Sequence, residues 1–537
     1  MRSSISRRAL AHLPATRSSS STAARPPAPP QNVPKPSTTV VSDKLARVTR
    51  ANADLTGKGL NGSEEGVLSS RPQPEELLTA LEETIKTHGP LPISRYMTLC
   101  LSHPTLGYYT TRKVFGKEGD FVTSPEISQV FGELLAVWFV TQWLAQGAPK
   151  KVRVVELGPG KGTLLADILR TFRSLPAHSS PPISSIHLVE SSSRLRTIQK
   201  SALEAVGCGS IRTEWYGDIK EVQETEEEWT VLIAHEFFDA LPIHVFEHTQ
   251  KGWREVLVDV SDPKAITTTS KSTEPLRLVL SPTPTPASTL YSTLAQLAFP
   301  SVGHQQIPDL LHSAPAARKP GQVGAGFLNV DTTLGVQPPS TPSTPSPLAD
   351  SDSGETGATP AAAAGSLIAK RFARLPLGSR LEVSPASWEI ARDLAKLAAG
   401  KRGGAGLVVD YGDSKGFGRS WRGFRKHQVV DPLTEPGHTD LTANVDFEYL
   451  AEAMGEFART HGPIPQSRFL TSLGLQPRLA SLLRNAQTPE RRSEIESAAK
   501  RLVDKGGMGE QYRVMALLPR GEGQKQNAEG VFPFDLK

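Results

Sequence analysis

Residues 152–169, VRVVELGPGKGTLLADIL, constrain the fold of this chain more than any other segment. Val152–Leu157 is a run of β-branched and apolar residues, as a buried strand would be. Gly158, Gly160 and Gly162 follow at once, and a helix is expected from about Thr163. Glycines turn the chain sharply and let a ligand approach the backbone. The start of the helix then offers free N–H groups to a polar ligand end. A dinucleotide fingerprint reads G-x-G-x-x-G. Here the spacing is G-x-G-x-G, with Thr163 in the place of the third fingerprint glycine. The strand also carries Glu156 just before the loop, where a carboxylate accepts from an ammonium and repels a pyrophosphate. Both features favour S-adenosylmethionine over NAD as the ligand.

Further acids follow in the order such a site needs. Glu190 ends the next apolar run, IHLVE, where an acid in a doubly wound fold holds the ribose hydroxyls of an adenosine. Asp218, after the third strand, sits where a methyltransferase contacts the adenine amino group. Alone, either is what a solvated strand end carries; behind the glycine loop they form a pattern. The next segment, VLIAHEFFDALP, is a strand and a polar turn at 231–242. Ligands bind at the carboxyl ends of such strands, so His235, Glu236 and Asp239 are candidates for substrate handling. Asp239 before Ala-Leu-Pro also suits a helix cap.

Apolar periodicity predicts helices over 74–89, 127–146, 163–173, 192–206, 387–399, 446–460, 465–473 and 489–504. Strands are predicted over 152–157, 186–190, 211–215, 230–235 and 406–411, with EQYRVMALLP as a last strand. A polar segment fills 412–446. The alternation predicts a parallel sheet covered by helices on both faces. The expected fold is therefore α/β: a class I, Rossmann-like S-adenosylmethionine-dependent methyltransferase, doubly wound and mostly parallel, with additional helices.

The flanks differ in kind. The first acid is Asp43, and five arginines precede it among Ser, Ala and Thr. That is the composition of a mitochondrial presequence, expected over 1–45, with a linker at 46–71. Residues 282–367 hold PTPTP and PPSTPSTPSP and few aromatics, too little apolar surface to offset ordering entropy. They are expected to be a largely disordered insertion between two parts of one methyltransferase domain, 72–281 and 368–520. TLYSTLAQLAF at its edge is a candidate short helix, and 521–537 reads as a tail. The net charge of +5 is small for 537 residues and does not suggest a nucleic-acid binder. Two cysteines exclude a disulfide framework and a cysteine-based zinc site. No metal is expected, and no run reaches the ~18 apolar residues of a bilayer span.

The motifs together resemble those of the MidA-like methyltransferases, the mitochondrial complex I assembly-factor family of protein arginine methyltransferases. GKEGDFVTSPEISQVFGE (116–133) is similar to that family's G-D-F-x-T-x-P-E-I-S signature. ELGPGKGT (156–163) resembles its cofactor loop, and AHEFFDALP (234–242) its H/N-E-F-x-D-A-L-P motif. EVSPASW, VVDYG, RGFRKHQVVDPLTEPGHTDLTANVDF and GMGEQYRVM fit its later blocks. The resemblance covers roughly residues 72–518 apart from the insertion; GFGRSW (416–421) departs from it. It implies S-adenosylmethionine as cofactor, and symmetric dimethylation of an arginine in a matrix-arm core subunit of complex I, required for its assembly. The implied location is the mitochondrial matrix.

A mechanism fits these residues. Paired carboxylates hold a planar guanidinium in a fixed orientation, and Glu236 and Asp239, with Glu126, are the candidates. The rival readings are a small-molecule methyltransferase and a non-catalytic assembly chaperone that kept the fold. Intact Glu156, Gly158, Gly160 and Glu190 argue against the chaperone.

Overall fold

The computed structural model describes residues 74–111, 123–261, 275–298, 360–520 and 530–535. The expected presequence and linker lie outside them. Eight strands form the main sheet: β1 (Val152–Leu157), β2 (Ile183–Val189), β3 (Arg212–Tyr216), β4 (Trp229–His235), β5 (Gly404–Asp413), β6 (Ala458–Pro465), β7 (Tyr512–Pro519) and the short Val445–Asp446, which pairs parallel to the end of β5. The spatial order of the numbered strands is β6-β7-β5-β4-β1-β2-β3. Neighbours from β5 through β4, β1 and β2 to β3 run parallel. β7 is reversed, antiparallel to both β5 and β6. The order turns back at β1, where β4 and β2 lie on either side, and a crevice opens at that switch point.

Side-chain alternation sends the strands into two cores. Val152, Val154, Val231 and Ile233 join one with helices Gln129–Ala145 and Thr163–Ser174. Val155, Leu157, Leu232 and Ala234 join the other with helices Pro385–Ala398 and Phe447–Met454. A run buried on both faces reads as continuously apolar, and β1 and β4 are buried throughout.

Seven of the eight predicted helices and the five predicted strands stand within a few residues of their expected bounds, and EQYRVMALLP supplies β7. Other features differ. The helix expected over 446–460 stops at Met454, and β6 begins at Ala458. ARTHGPIP has no alternation to betray it, because β6 is a half-exposed edge strand held mainly by its pairing with β7. A helix at Leu475–Asn485 was not predicted. The polar segment 412–446 holds a three-stranded antiparallel sheet: Arg422–Arg425, Gln428–Val430 and Asp440–Thr442.

A second antiparallel sheet was not anticipated as a sheet, although LRLVL and SRLEVSP, on either side of the expected insertion, read as strand-like and supply two of its strands. It joins Leu91–Pro92, His244–Thr249, Gly252–Val260, Leu276–Leu280 and Arg380–Val383. Helices Pro74–His88 and Ile93–Ser102 pack on it through Leu77, Leu81, Tyr96 and Met97. At the outer ends of the expected insertion lie helices Pro286–Ala298 and Pro360–Arg374, with Tyr291 stacked on Phe372. The first contains TLYSTLAQLA; residues 299–359 lie outside the described part. The segment expected to be a tail returns to the body: Phe534 is buried against Trp138 and Phe469. No helix among the described residues is long and apolar enough to cross a membrane.

Candidate active site

A cavity of about 380 Å³ opens at the carboxyl ends of β1, β2, β4 and β5. Its lining includes Glu126, Glu156, Gly158, Gly160, Glu190, Asp218, His235, Glu236 and Asp239. The structure therefore brings together every candidate site residue except Gly162. That glycine sits behind the loop at φ +79°, where an added Cβ would press on the Gln199 backbone at 3.4 Å. It serves the packing of helix Ser193–Ala205 against the loop. Gly158 and Gly160 also have positive φ, 58° and 53°, a region that costs other residues strain. A side chain at Gly158 would in addition strike the Phe237 ring at 2.9 Å.

Glu156 is buried, and its Oε2 has no hydrogen-bond partner. Burial alone pushes its pKa up to about 8. An uncompensated carboxylate in a cavity stands ready for a cation. Glu190 is better satisfied: Oε1 accepts from the Ser192 N–H at 2.8 Å and Oε2 from Gln199 Nε2 at 3.1 Å. Asp218 is exposed and caps a short turn by accepting from the Lys220 N–H at 3.0 Å. Glu126, in the four-residue helix Ser124–Ile127, pairs with Lys161 of the glycine loop at 2.9 Å. Of GKEGDFVTSPEISQVFGE (116–133), residues up to 122 lie outside the described part.

The turn after β4 does not begin a helix, so neither Glu236 nor Asp239 is a cap. Instead Asp410 of β5 accepts on Oδ2 from the N–H groups of Phe237, Phe238 and Asp239, at 3.2, 2.9 and 3.3 Å. This buried acid, which the family resemblance places in a site block at Asp410–Gly412, folds the turn that presents the candidates. Burial and Asp239 raise its own pKa well above the carboxylate range, against the pull of those N–H donors. Glu236 takes φ +50°, uncommon for a residue with a side chain. Such strain persists where surrounding bonds over-determine it; here the Glu236 N–H also donates to Val409 O at 2.9 Å.

The electrostatics are one-sided. Burial raises Glu236 to about 8 and Asp239 to about 6, the latter opposed by Arg422. Burial lowers His235 to about 3, so its imidazole is neutral. The ring lies between Phe131 and Tyr512, its Nε2 3.5 Å from Glu236 Oε1 and without a hydrogen-bond partner. Tyr109 donates to Asp440 Oδ1 at 2.9 Å, and both also line the cavity. Among the described residues the lining has one lysine, Lys161, and no arginine. A cavity so lined attracts cations. Glu156 and the glycine loop suit the ammonium end of S-adenosylmethionine, and Glu190 its ribose.

The comparisons with known proteins agree with this geometry. Residues 134–464 match the profile of a family described as S-adenosyl-L-methionine-dependent methyltransferases. The mitochondrial protein arginine methyltransferase NDUFAF7 of Mus musculus is 34% identical over 494 residues, 88% of this chain and 91% of that protein. Its Homo sapiens counterpart is 33% identical over 480 residues, 85% of this chain and 88% of that protein. In three dimensions the chain is similar to a Burkholderia thailandensis protein solved with S-adenosyl-homocysteine bound. The TM-score is 0.56 at 22% identity, over 86% of this chain and 95% of that one. The switch-point crevice, the glycine loop and these matches make one case: the chain belongs to this family of S-adenosyl-L-methionine-dependent methyltransferases.

Proposed function

We propose that the chain is a protein arginine methyltransferase of the mitochondrial matrix, and that it symmetrically dimethylates an arginine of a matrix-arm core subunit of complex I, as assembly of that complex requires. The names of its relatives support the arginine and the mitochondrion. The observation that carries the reading is the pair Glu236 and Asp239, buried carboxylates raised by desolvation beside one another in the cavity. A guanidinium is planar and always charged. It compensates both acids at once and is held in one plane by them.

The cofactor, when bound, supplies a methyl group already activated as a sulfonium. The protein's part is alignment, which converts an encounter into a near-attack arrangement. Glu156, Glu190 and the glycine loop would hold the cofactor. Glu236 and Asp239 orient the incoming nitrogen, and Glu236 takes the proton that nitrogen loses. His235 stays neutral at physiological pH and adds no competing positive charge.

The test is to incubate the purified chain with methyl-labelled S-adenosylmethionine and matrix-arm subcomplexes of complex I, then to locate the label. Label on an arginine, as symmetric dimethylarginine, is the expected result. Label on a small molecule or on lysine would overturn the reading, as would no transfer by folded, cofactor-binding protein. Glu236→Gln keeps the shape and removes the charge. It should lower single-turnover transfer about 100-fold, the scale of a lost charged positioning contact. Calorimetric affinity for S-adenosyl-homocysteine should be unchanged.

A further inference from the structure

Two tyrosines from separate blocks of the sequence, VVDYG and GMGEQYRVM, meet at the wall of the cavity. The antiparallel register of β5 and β7 sets Tyr411 opposite Tyr512. Their ring centroids are 4.2 Å apart and their hydroxyl oxygens 2.6 Å apart. Tyr512 is fully buried, and its hydroxyl donates to Glu236 Oε1 at 2.7 Å. A phenol has one proton to give. When Glu236 is ionised and accepts from the Tyr512 hydroxyl, the 2.6 Å contact is left for the Tyr411 hydroxyl to donate. The chain of hydrogen bonds therefore points one way, from Tyr411 at the cavity wall through Tyr512 to the carboxylate.

Resting on the role given above to Glu236, we propose that Tyr512, backed by Tyr411, is a positioning residue for methyl transfer: it fixes the Glu236 carboxylate in one orientation and favours its charged form as the substrate cation arrives. In the step itself the guanidinium nitrogen's electron pair forms the new N–C bond as the S–C bond breaks, with that bond's electrons remaining on sulfur. The nitrogen's proton passes to Glu236. The carboxylate must therefore begin ionised, in surroundings that oppose it.

Those surroundings can be named. Burial is the largest influence raising Glu236, and the carboxylates of Asp239 and Glu126 add to it. Asp410 lies under the same turn and interacts with Glu236. The neutral His235 ring faces it from β4. Arg422 lowers Asp239 and lies over the Tyr411 ring at 5.8 Å. Against burial, the Tyr512 hydroxyl is the largest influence that lowers Glu236. A donated hydrogen bond favours the charged form, and a donor that is itself hydrogen-bonded to is strengthened.

Removing the hydroxyl leaves Glu236 protonated to higher pH. Transfer that needs the carboxylate rises with pH through its pKa, so Tyr512→Phe should move that rise to more alkaline pH by about one unit. At pH 7.5 the rate should fall about tenfold, reach half its maximum near about pH 9 and approach the unsubstituted rate only above about pH 10. Tyr411→Phe should do the same to a smaller extent. The measurements are single-turnover rate against pH on complex I matrix-arm subcomplexes, calorimetric S-adenosyl-homocysteine affinity, and a 13C NMR titration of protein labelled at glutamate side-chain carboxyls. The Glu236 signal is identified by its loss in Glu236→Gln. The expected result is the same alkaline displacement in the rate and in the NMR titration, with cofactor affinity kept. A rise that does not move, or a loss of rate equal at every pH, would overturn the role of Tyr512. Full activity of Glu236→Gln would instead remove Glu236, a result distinct from failure of the tyrosines. Should Tyr512→Phe fail to fold, Tyr411→Phe carries the same test.

Discussion

Gln199 shows how one buried amide organises the cofactor side of the site. Its Nε2 donates to the Gly160 carbonyl at 2.8 Å and to Glu190 Oε2 at 3.1 Å, and its Oε1 accepts from the Trp215 indole at 2.8 Å. Loop, β2 and β3 are thereby tied at one point. A buried network of this kind is worth most when complete. Gln199→Ala leaves the Gly160 carbonyl and the Trp215 N–H without partners and frees Glu190 to swing. Calorimetry should show S-adenosylmethionine binding weakened about fivefold to tenfold, the scale of one or two hydrogen bonds. An unchanged affinity would mean that the loop holds its shape without this side chain. The glycines and Glu156 were legible in the sequence because their demands are local: positive φ selects glycine, and a carboxylate at the end of an apolar strand stands out. Gln199 was not, since a glutamine inside SRLRTIQKSALEA is ordinary helix sequence. Asp410 and Tyr512 act on residues 236–239 from far along the chain, and no spacing rule reports such a meeting.

The elements that sequence revealed are those whose periodicity follows from burial. β1 and β4 are covered on both faces and read as apolar runs; helix Pro385–Ala398 is amphipathic and starts at a Ser-Pro pair, with Ser384 accepting from the Ser387 N–H. The elements it hid are stabilised by partners distant in sequence, such as β6 at the sheet edge. The C-terminal segment belongs to this second kind. Phe534 lies in contact with Trp138 and Phe469, the Trp138 indole donates to Phe532 O at 3.0 Å, and His461 pairs with Asp535 at 3.1 Å. The segment thus covers the middle of helix Gln129–Ala145 at Trp138, and that helix forms much of one core. Phe534→Ala should open a cavity there and destabilise the fold by about 3 kcal/mol, the lower end for removing a buried phenylalanine. Denaturant unfolding would measure this. A change below about 0.5 kcal/mol, the range of ordinary surface substitutions, would show that the segment contributes nothing to the core.

At the scale of the molecule, two lobes share the work. The main sheet supplies the cofactor loop and the turn bearing Glu236 and Asp239. Helix Ile93–Ser102, together with Tyr109 and Asp440, closes the cavity from the side of the second sheet. The Pro- and Ser-rich stretch leaves and re-enters on the second lobe, between Leu276–Leu280 and Arg380–Val383 of its sheet. Helices Pro286–Ala298 and Pro360–Arg374, on either side of it, are held by their own contacts: Phe246, Trp253, Tyr291 and Phe372 form one aromatic cluster, and Arg371 bonds Asp446 and Glu448. All of these anchors lie outside residues 300–358. Replacing those residues with a short Gly-Ser linker should therefore leave the melting temperature within about 3 °C and the cofactor affinity unchanged. Loop-closure entropy varies only as the logarithm of length, so shortening costs nothing and slightly favours the folded state. Cutting further, through Phe372, removes part of the aromatic cluster and should lower the melting temperature by several degrees, since for a chain of this size about 1 kcal/mol shifts it by a few degrees at most. If the shorter deletion instead destabilises the protein as much as the longer one, the stretch has a structural role that its composition does not announce. If it preserves stability and cofactor affinity but abolishes transfer to complex I subcomplexes, the stretch serves recognition of the protein substrate.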